Sequence, residues 1–570
     1  MTDVALAAPA AHPLYERHRG TLERALEVIR TREYWTPYPE VPSRSIYGET
    51  ADETGRAAFE AYRDARFPLD QPGEDGEVGG ERSPFGFELG TRYPHVDPDK
   101  LVPAMLGAMP AWRDAGPETR AGVCLEILAR LNARSFELGY ATMHTTGQAF
   151  VMAFQAGGPH AQDRGLEGVA YAFAEQTRHA RTAEWEKPQG KREPIRLSKT
   201  FTVVPRGVAL VIACNTFPAW NSYPGLFASL ASGNAVLVKP HHRAILPLAI
   251  TVAVAREVLA EAGFDPNLVC LAAGAADERL ASKLATRPEV RIIDFTGSTA
   301  YGEWLEANAR QAQVYTEKAG INSIVIDSTD DLAGMARNIA FSLSLYSGQM
   351  CTAPQNLLVP RDGIETDGGR RSLADVEAAI AGAIDELLAD PARAVEVTGA
   401  IVNDGVLERS EAAPALGRLI RPSRSIVHPQ FPDAVVRTPT LIGLDAADEA
   451  AYAREWFGPV AFVVATDSTA HSLEILRRTG TTGGAITAAV YSTAEAVLDA
   501  AEAAAQDVGV ALSCNLMGNI WVNQSAAFSD FHATGANPAA NASLTDPAFV
   551  ANRFRIVQSR RPAASSTTED

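Results

Sequence analysis

Cys351 lies in the run Ser347-Gly348-Gln349-Met350-Cys351-Thr352-Ala353-Pro354, a thiol among small and uncharged residues. Such a thiol can attack a carbonyl carbon and carry the product as a covalent adduct. Upstream stands Glu317, in Thr316-Glu317-Lys318-Ala319-Gly320, a carboxylate able to activate the water that clears the adduct. Taken singly, a cysteine is most often an inert core residue and a glutamate a solvated surface charge. The order of motifs around the two residues gives the pair its weight.

The elements that must position them show a βαβ rhythm. Between residues 201 and 327, β-rich runs at Val208–Ile212, Ala235–Val238, Leu268–Leu271, Arg291–Phe295 and Ser323–Ile326 alternate with helical stretches. One of these stretches is a helix over Ile245–Ala262, ended by Gly263. This pattern predicts a parallel sheet with helices on both faces, and ligands in such sheets bind beyond the carboxyl ends of the strands. Asn215 and Thr216, Lys239, and Gly297 with Ser298 all fall at such ends. A second α/β unit is expected over 328–515. In it a helix leads into the Cys351 loop, strands lie at Asn356–Val359, Ala461–Ala465 and Ala485–Tyr491, and a helix covers Val376–Leu388.

Residues 101–185 read as helices, with Leu125, Leu128, Leu131 and Phe136 on an apolar face. Residues 1–100, rich in Pro, Gly and charge, read as an irregular arm with an exposed loop at Gln71–Gly76. Toward the end, Arg553–Val557 alternates like a strand that can pair within the chain or with another subunit. Residues 562–570 read as a disordered tail.

Bulk properties narrow the partners. At 570 residues the chain exceeds one ordinary domain. Its 51 basic against 69 acidic residues, net −18, argue against nucleic acid or an anionic membrane. A basic pocket for a phosphorylated cofactor remains compatible with that surface. The five cysteines, Cys124, Cys214, Cys270, Cys351 and Cys514, are scattered and form no C-x-x-C pair, and no H-E-x-x-H occurs. We therefore expect a reducing, cytoplasmic setting and no metal. Neither a secretory signal nor a membrane span is expected, because Ile245–Ala255, the most apolar helical stretch, is too short to span.

Read in order, Asn215-Thr216-Phe217-Pro218, Lys239-Pro240, Phe295-Thr296-Gly297-Ser298-Thr299, Glu317, Gly348-Gln349-Met350-Cys351 and Glu455-Trp456-Phe457-Gly458-Pro459 resemble the aldehyde dehydrogenase superfamily over roughly residues 100–530. Tyr34–Pro39 and Phe531–Pro538 are similar to its PaaN branch, associated with phenylacetate degradation. The resemblance implies an α/β fold with a Rossmann-type cofactor domain (101–327), an α/β catalytic domain (328–515) and a C-terminal segment (516–561) carrying an oligomerisation strand. A homodimer or homotetramer is the expected state. It implies that Cys351 attacks a small-molecule aldehyde, that the oxyanion is held by the Cys351 N–H and a polar side chain, and that hydride passes to NADP or NAD. Glu317 then activates water against the thioester. Lys239 would meet the adenosine ribose, Gly297 and Ser298 the pyrophosphate, and Glu455 and Phe457 the nicotinamide riboside.

Three departures from the family pattern bear on these roles. Thr216 separates Asn215 from Phe217-Pro218, so either Asn215 or Thr216 can be the oxyanion donor. His242, with Arg243 beside it, stands where many NAD-dependent members carry an acidic residue, which removes a repulsion against a 2′-phosphate and points toward NADP. Lys318-Ala319-Gly320-Ile321 lacks the usual paired glycines. The alternatives are a CoA-acylating dehydrogenase and a catalytically weakened binding protein; the presence of Glu317 favours water as the acceptor. Trp220, Tyr223 and Tyr346 are candidates for the substrate pocket.

Overall fold

The structure is a computed structural model that describes residues 12–318, 320–523, 527–528 and 547–563. Two sheets carry the site. The first has, among the described residues, five strands in the order Val269–Leu271, Ala235–Lys239, Val208–Ile212, Val290–Thr296, Gln313–Glu317. All its pairings are parallel. Val208–Ile212 is buried at every position, as a strand covered by helices on both faces requires. The expected helix after Lys239 is present as Leu246–Glu261. The chain builds outward from Val208–Ile212, then returns to its other side with Val290–Thr296. The segments leaving these two neighbours diverge and open a crevice beyond their carboxyl ends.

The second sheet has, among the described residues, seven strands in the order Arg418–Arg421, Thr440–Asp445, Val460–Thr466, Asn356–Pro360, Ser323–Ile326, Thr487–Tyr491, Ala511–Cys514. Ser323–Ile326, expected in the first sheet, lies here instead, between Asn356–Pro360 and Thr487–Tyr491. Ile324 and Ile326 join one apolar cluster and Val325 the other, so the strand is packed on both faces. The first sheet ends on Gln313–Glu317, whose Gln, Thr and Glu conceal it from a search for apolar runs. The helix leading into the Cys351 loop is Leu332–Ser344.

Where an irregular arm was expected, Pro13–Thr31 and Ala51–Tyr62 are helices, and Glu74–Gly79 pairs with Arg92–Val96. The prolines and glycines there mark ends and turns: Pro13 opens the first helix behind a His12 cap, and Leu22, Ala25 and Val28 form its buried stripe. This region is clamped onto the first sheet. Gln71 bonds the Leu271 carbonyl at 2.7 Å and accepts the Leu271 N–H at 2.9 Å. Glu81 is buried, accepts the N–H groups of Ile245 and Leu246 at 2.5 and 3.1 Å, and receives the Tyr93 hydroxyl. A carboxylate there meets the open amides at the start of Leu246–Glu261.

Phe554–Pro562 pairs antiparallel with Arg192–Pro205 of its own chain, and Thr182–Gln189 completes this three-stranded sheet. Pro562, expected in the tail, is the last residue of that strand. The strand is anchored by Arg553, fully buried and bidentate to Asp294 at 2.6 and 2.7 Å. The Phe531–Pro538 motif, Ala319 and residues 564–570 lie outside the described residues. Among the described residues no helix is long and apolar enough to cross a membrane.

Candidate active site

Glu317 is the last residue of the edge strand Gln313–Glu317, so its side chain emerges at the rim of the crevice. Cys351 arrives from the other sheet. After helix Leu332–Ser344 the chain makes a short turn in which Tyr346 and Ser347 take φ of +52° and +49°. Each such residue costs about 1–3 kcal/mol, which the surroundings must offset. The Tyr346 hydroxyl donates to the Thr146 carbonyl, and Ser347 Oγ donates to the carbonyls of Thr398 and Arg437 at 3.1 and 2.8 Å. Gly348 follows at φ +64°, where a Cβ would collide with the Gly458 carbonyl oxygen. Beyond the turn, Asn322 Nδ2 donates to the carbonyls of Cys351 and Ala353 at 2.8 and 2.9 Å. Its Oδ1 accepts the N–H groups of Ile486 and Thr487 at 3.0 Å each. The thiol is therefore held by tertiary bonds on both sides.

Cys351 stands where two cavities meet. One is a cleft of about 550 Å³ along the carboxyl ends of the first sheet, walled by Lys239, Gly297, Ser298, Glu317, Glu455 and Phe457 among others. The other, about 300 Å³, is mostly apolar, with Phe217, Trp220, Phe341, Leu345 and Trp521 in its wall. Phe341 and Trp521 stack with ring centroids 4.1 Å apart. Cys351, Phe217 and Asn221 belong to both walls. Burial above all, and then the Glu317 carboxylate that hydrogen-bonds it, push the Cys351 thiol well above its ordinary range. Cys351 thus sits as a buried thiol in hydrogen-bonding contact with a carboxylate.

Asn221, which the sequence reading missed, donates to Glu317 Oε2 at 3.1 Å and to Thr296 Oγ1 at 3.3 Å. It sits in the first turn of helix Pro218–Ala231. A lone amide in that largely apolar stretch was the available signal. Asn215 and Thr216 line the cleft but not the apolar pocket. The Asn215 amide makes one long bond, 3.5 Å to the Thr145 carbonyl, and its Oδ1 is buried without a partner. The Thr216 hydroxyl is turned to the Cys214 sulfur. Of the three proposed pocket residues only Trp220 lines the pocket. Tyr223 is core, bonded to Thr251 at 2.7 Å, and Tyr346 supports the turn.

The remaining cleft residues suit a dinucleotide. Lys239 ends its strand in the cleft, its ammonium destabilised by burial. At Gly297 a Cβ would meet the Phe295 ring at 2.6 Å, so the turn requires glycine. Ser298 begins helix Thr299–Asn308 with no side-chain cap, leaving its first amides for an anion. Burial raises Glu455 to about 7, opposed by the Gly320 N–H and by Arg409. Phe457 packs on Ile401, Val402 and Val406. His241, rather than His242, is in the cleft wall. The His242 ring lies tilted against that of His241, centroids 4.3 Å apart, and is held toward the neutral form by burial, Lys239 and Arg243. Arg243 reaches Asp404 at 3.9 Å. Among the described residues no three His, Cys, Asp or Glu side chains gather to hold a metal ion.

The thiol thus lies between a cleft beyond the strand ends of a parallel sheet and a mostly apolar pocket. The aldehyde dehydrogenase family model matches residues 91–536, and the chain belongs to that family. The crystal structure of an NAD-dependent aldehyde dehydrogenase from Burkholderia multivorans is 60% identical and superposes with a TM-score of 0.96, covering 97% of this chain and 100% of that one. A curated relative, vanillin dehydrogenase of Pseudomonas fluorescens, is 27% identical over 411 residues, 69% of this chain and 78% of that protein. The structure of 1-pyrroline-5-carboxylate dehydrogenase from Thermus with bound NAD, 20% identical with a TM-score of 0.69 over 93% of this chain and 99% of that one, shares the fold.

Proposed function

We propose that this enzyme oxidises an aldehyde to the free carboxylic acid with NAD, through a thioester on Cys351. The observation that carries the reading is the thiol at the junction of the two cavities, with Glu317 in contact. A nicotinamide dinucleotide in the cleft supplies the hydride acceptor. Lys239, the amides following Ser298, and Glu455 hold it along the cleft. Glu317 takes the thiol proton as Cys351 Sγ bonds to the aldehyde carbon. The Cys351 N–H and the Asn215 amide, whose 3.5 Å bond is easily outcompeted, receive the oxyanion. Once the adduct has given up hydride and Glu317 has released the thiol proton to solvent, Glu317, oriented by Asn221, would remove a proton from the water that attacks the thioester, and the Cys351 sulfur would leave as the thiol.

NAD is favoured over NADP because the case for a 2′-phosphate rested on His242 and Arg243, neither of which is in the cleft wall. Water is favoured over CoA as acceptor because Glu317 is built against the thiol. The aromatic pocket supports an aromatic or long apolar aldehyde, in keeping with the resemblance to the phenylacetate branch. The exposed three-stranded sheet ending in Phe554–Pro562 is the surface through which copies would pair as a dimer or tetramer. All five cysteines are free thiols, which suits a cytoplasmic setting. The test is a panel of aldehydes with NAD and with NADP, following reduced cofactor by absorbance and products with and without CoA. Mass spectrometry of quenched reactions should show an acyl adduct on Cys351. Product formation with the adduct elsewhere would overturn the assignment.

A further inference from the structure

A third cavity, about 670 Å³, lies beyond the apolar pocket. The two share Val151 and Glu396 in their walls. Much of the third cavity comes from residues that precede the family match at 91–536, including Arg44, Arg56, Phe59, Arg63 and Phe87. The third cavity therefore adjoins the apolar pocket and shares no wall residue with the cleft.

Its chemistry differs from that of the pocket. The Arg56 guanidinium lies over the Tyr140 ring at 5.0 Å and donates to the Tyr140 hydroxyl at 2.8 Å. Arg63 lies over the Phe87 ring at 4.6 Å and pairs with Glu60 at 2.8 Å; its Nε is buried without a partner. Arg44 stands at the rim, 3.9 Å from Glu53. The wall also holds Asp52, Glu60 and Glu396, so its formal charges balance. Asp52 is engaged through the Tyr140 hydroxyl and Glu60 through Arg63. At the floor, His144 is held neutral, at about 3, by burial and then by the positive field of Arg63 and Arg56. Arg56 gives Nε and Nη2 to the Tyr140 hydroxyl, at 3.2 and 2.8 Å, and Arg63 gives Nη1 to Glu60, so the N–H groups that remain for an oxyanion are on Arg56 Nη1 and Arg63 Nη2.

We propose that the natural aldehyde is elongated and ends in an anionic oxyacid group, a carboxylate or a phosphate, bound in this vestibule by Arg56 and Arg63 with Arg44 at the rim. This rests on the aldehyde-oxidising reading above. The aldehyde carbon sits at Cys351, the apolar middle passes Trp220, Phe341 and Trp521, and the far end passes Val151 and Glu396.

The test compares kcat/KM for aldehydes of matched length that end in a methyl, a carboxylate or a phosphate, with a short neutral aldehyde as reference. A charged end should raise kcat/KM by at least about tenfold over the methyl end, chiefly through KM, as a charge-assisted arginine contact provides. The better of the two charged ends identifies the oxyacid. Arg56→Gln and Arg63→Gln should each cut the charged-to-neutral ratio by about tenfold, Arg56→Lys should restore part of it, and Arg44→Gln, at the exposed rim, should cost about threefold. Equal kcat/KM for charged and neutral ends in the wild type, which needs no variant to fold, would overturn the proposal while leaving aldehyde oxidation intact. An unchanged ratio in folded Arg56→Gln and Arg63→Gln would do the same. Failure to oxidise any aldehyde, the short neutral one included, would remove the oxidation reading itself.

Discussion

The two cavities that meet at Cys351 are built in opposite ways. The cleft takes Lys239, Gly297, Ser298 and Glu317 from at or just beyond strand ends of one parallel sheet, where local chain order places them, and closes over them with Glu455 and Phe457 of the second unit. The apolar pocket gathers Trp220, Phe341 and Trp521 from segments that share no such rule. One side follows strand ends and the other does not, and the vestibule beyond the pocket draws Arg44, Arg56 and Arg63 from residues that precede the family match. Specificity sits where the architecture leaves freedom.

The largest expected effect is common to both sides. Cys351→Ser should lower turnover by at least about a thousandfold while dinucleotide binding, followed by fluorescence titration, persists. Glu317→Gln should slow deacylation by about a hundredfold or more, so that quenched enzyme accumulates acyl adduct. Asn221→Ala should slow the same step by about tenfold and move the acid limb of the kcat profile to higher pH, because a carboxylate that loses an amide donor favours its protonated form. Steady turnover without adduct in Glu317→Gln would take the water-activating role from it.

Two substitutions separate the cavities directly. Lys239→Ala should weaken dinucleotide affinity by about tenfold and leave aldehyde KM nearly unchanged. Trp521→Ala should do the reverse, raising KM for aromatic aldehydes by about tenfold through lost apolar contact. If either variant moved both quantities equally, the division of labour would be wrong.

The smallest effect concerns the clamp behind the cleft. Burial raises Glu81 from its usual 4.5 to about 7. Its folded form therefore holds a proton that the unfolded form releases, and its contribution to stability is present below about 4.5 and is lost as pH rises toward 7. Glu81→Gln removes that titration. The melting temperature of the wild type relative to the variant should therefore fall between pH 4.5 and pH 7. A constant difference across that window would reject the buried, proton-holding carboxylate.

Reading the sequence found Cys351, Glu317, Lys239, Gly297, Ser298, Glu455 and Phe457, and the structure brings all of these to one cleft. It misplaced Ser323–Ile326, since a β-rich run declares a strand but not the sheet that will pair with it. Helices Pro13–Thr31 and Ala51–Tyr62 were hidden by a regional excess of Pro and Gly, although each is amphipathic over its own length. His242 was chosen by its place after Lys239-Pro240, but the cleft wall holds its neighbour His241, because adjacent side chains point in different directions that only the packed turn selects.

Period and motif order along the chain were enough to anticipate a parallel α/β scaffold and to single out Cys351 and Glu317 as a candidate thiol and base. Hydrophobic alternation and strand-end placement are short-range properties, written within a few residues of where they act. That Asn221 orients Glu317, that two left-handed residues present Cys351, and that Arg56 and Arg63 line a cavity adjoining the apolar pocket emerged only on folding. Those relations join residues far apart in the chain, and the bonds and ring contacts that hold them exist only in the packed molecule.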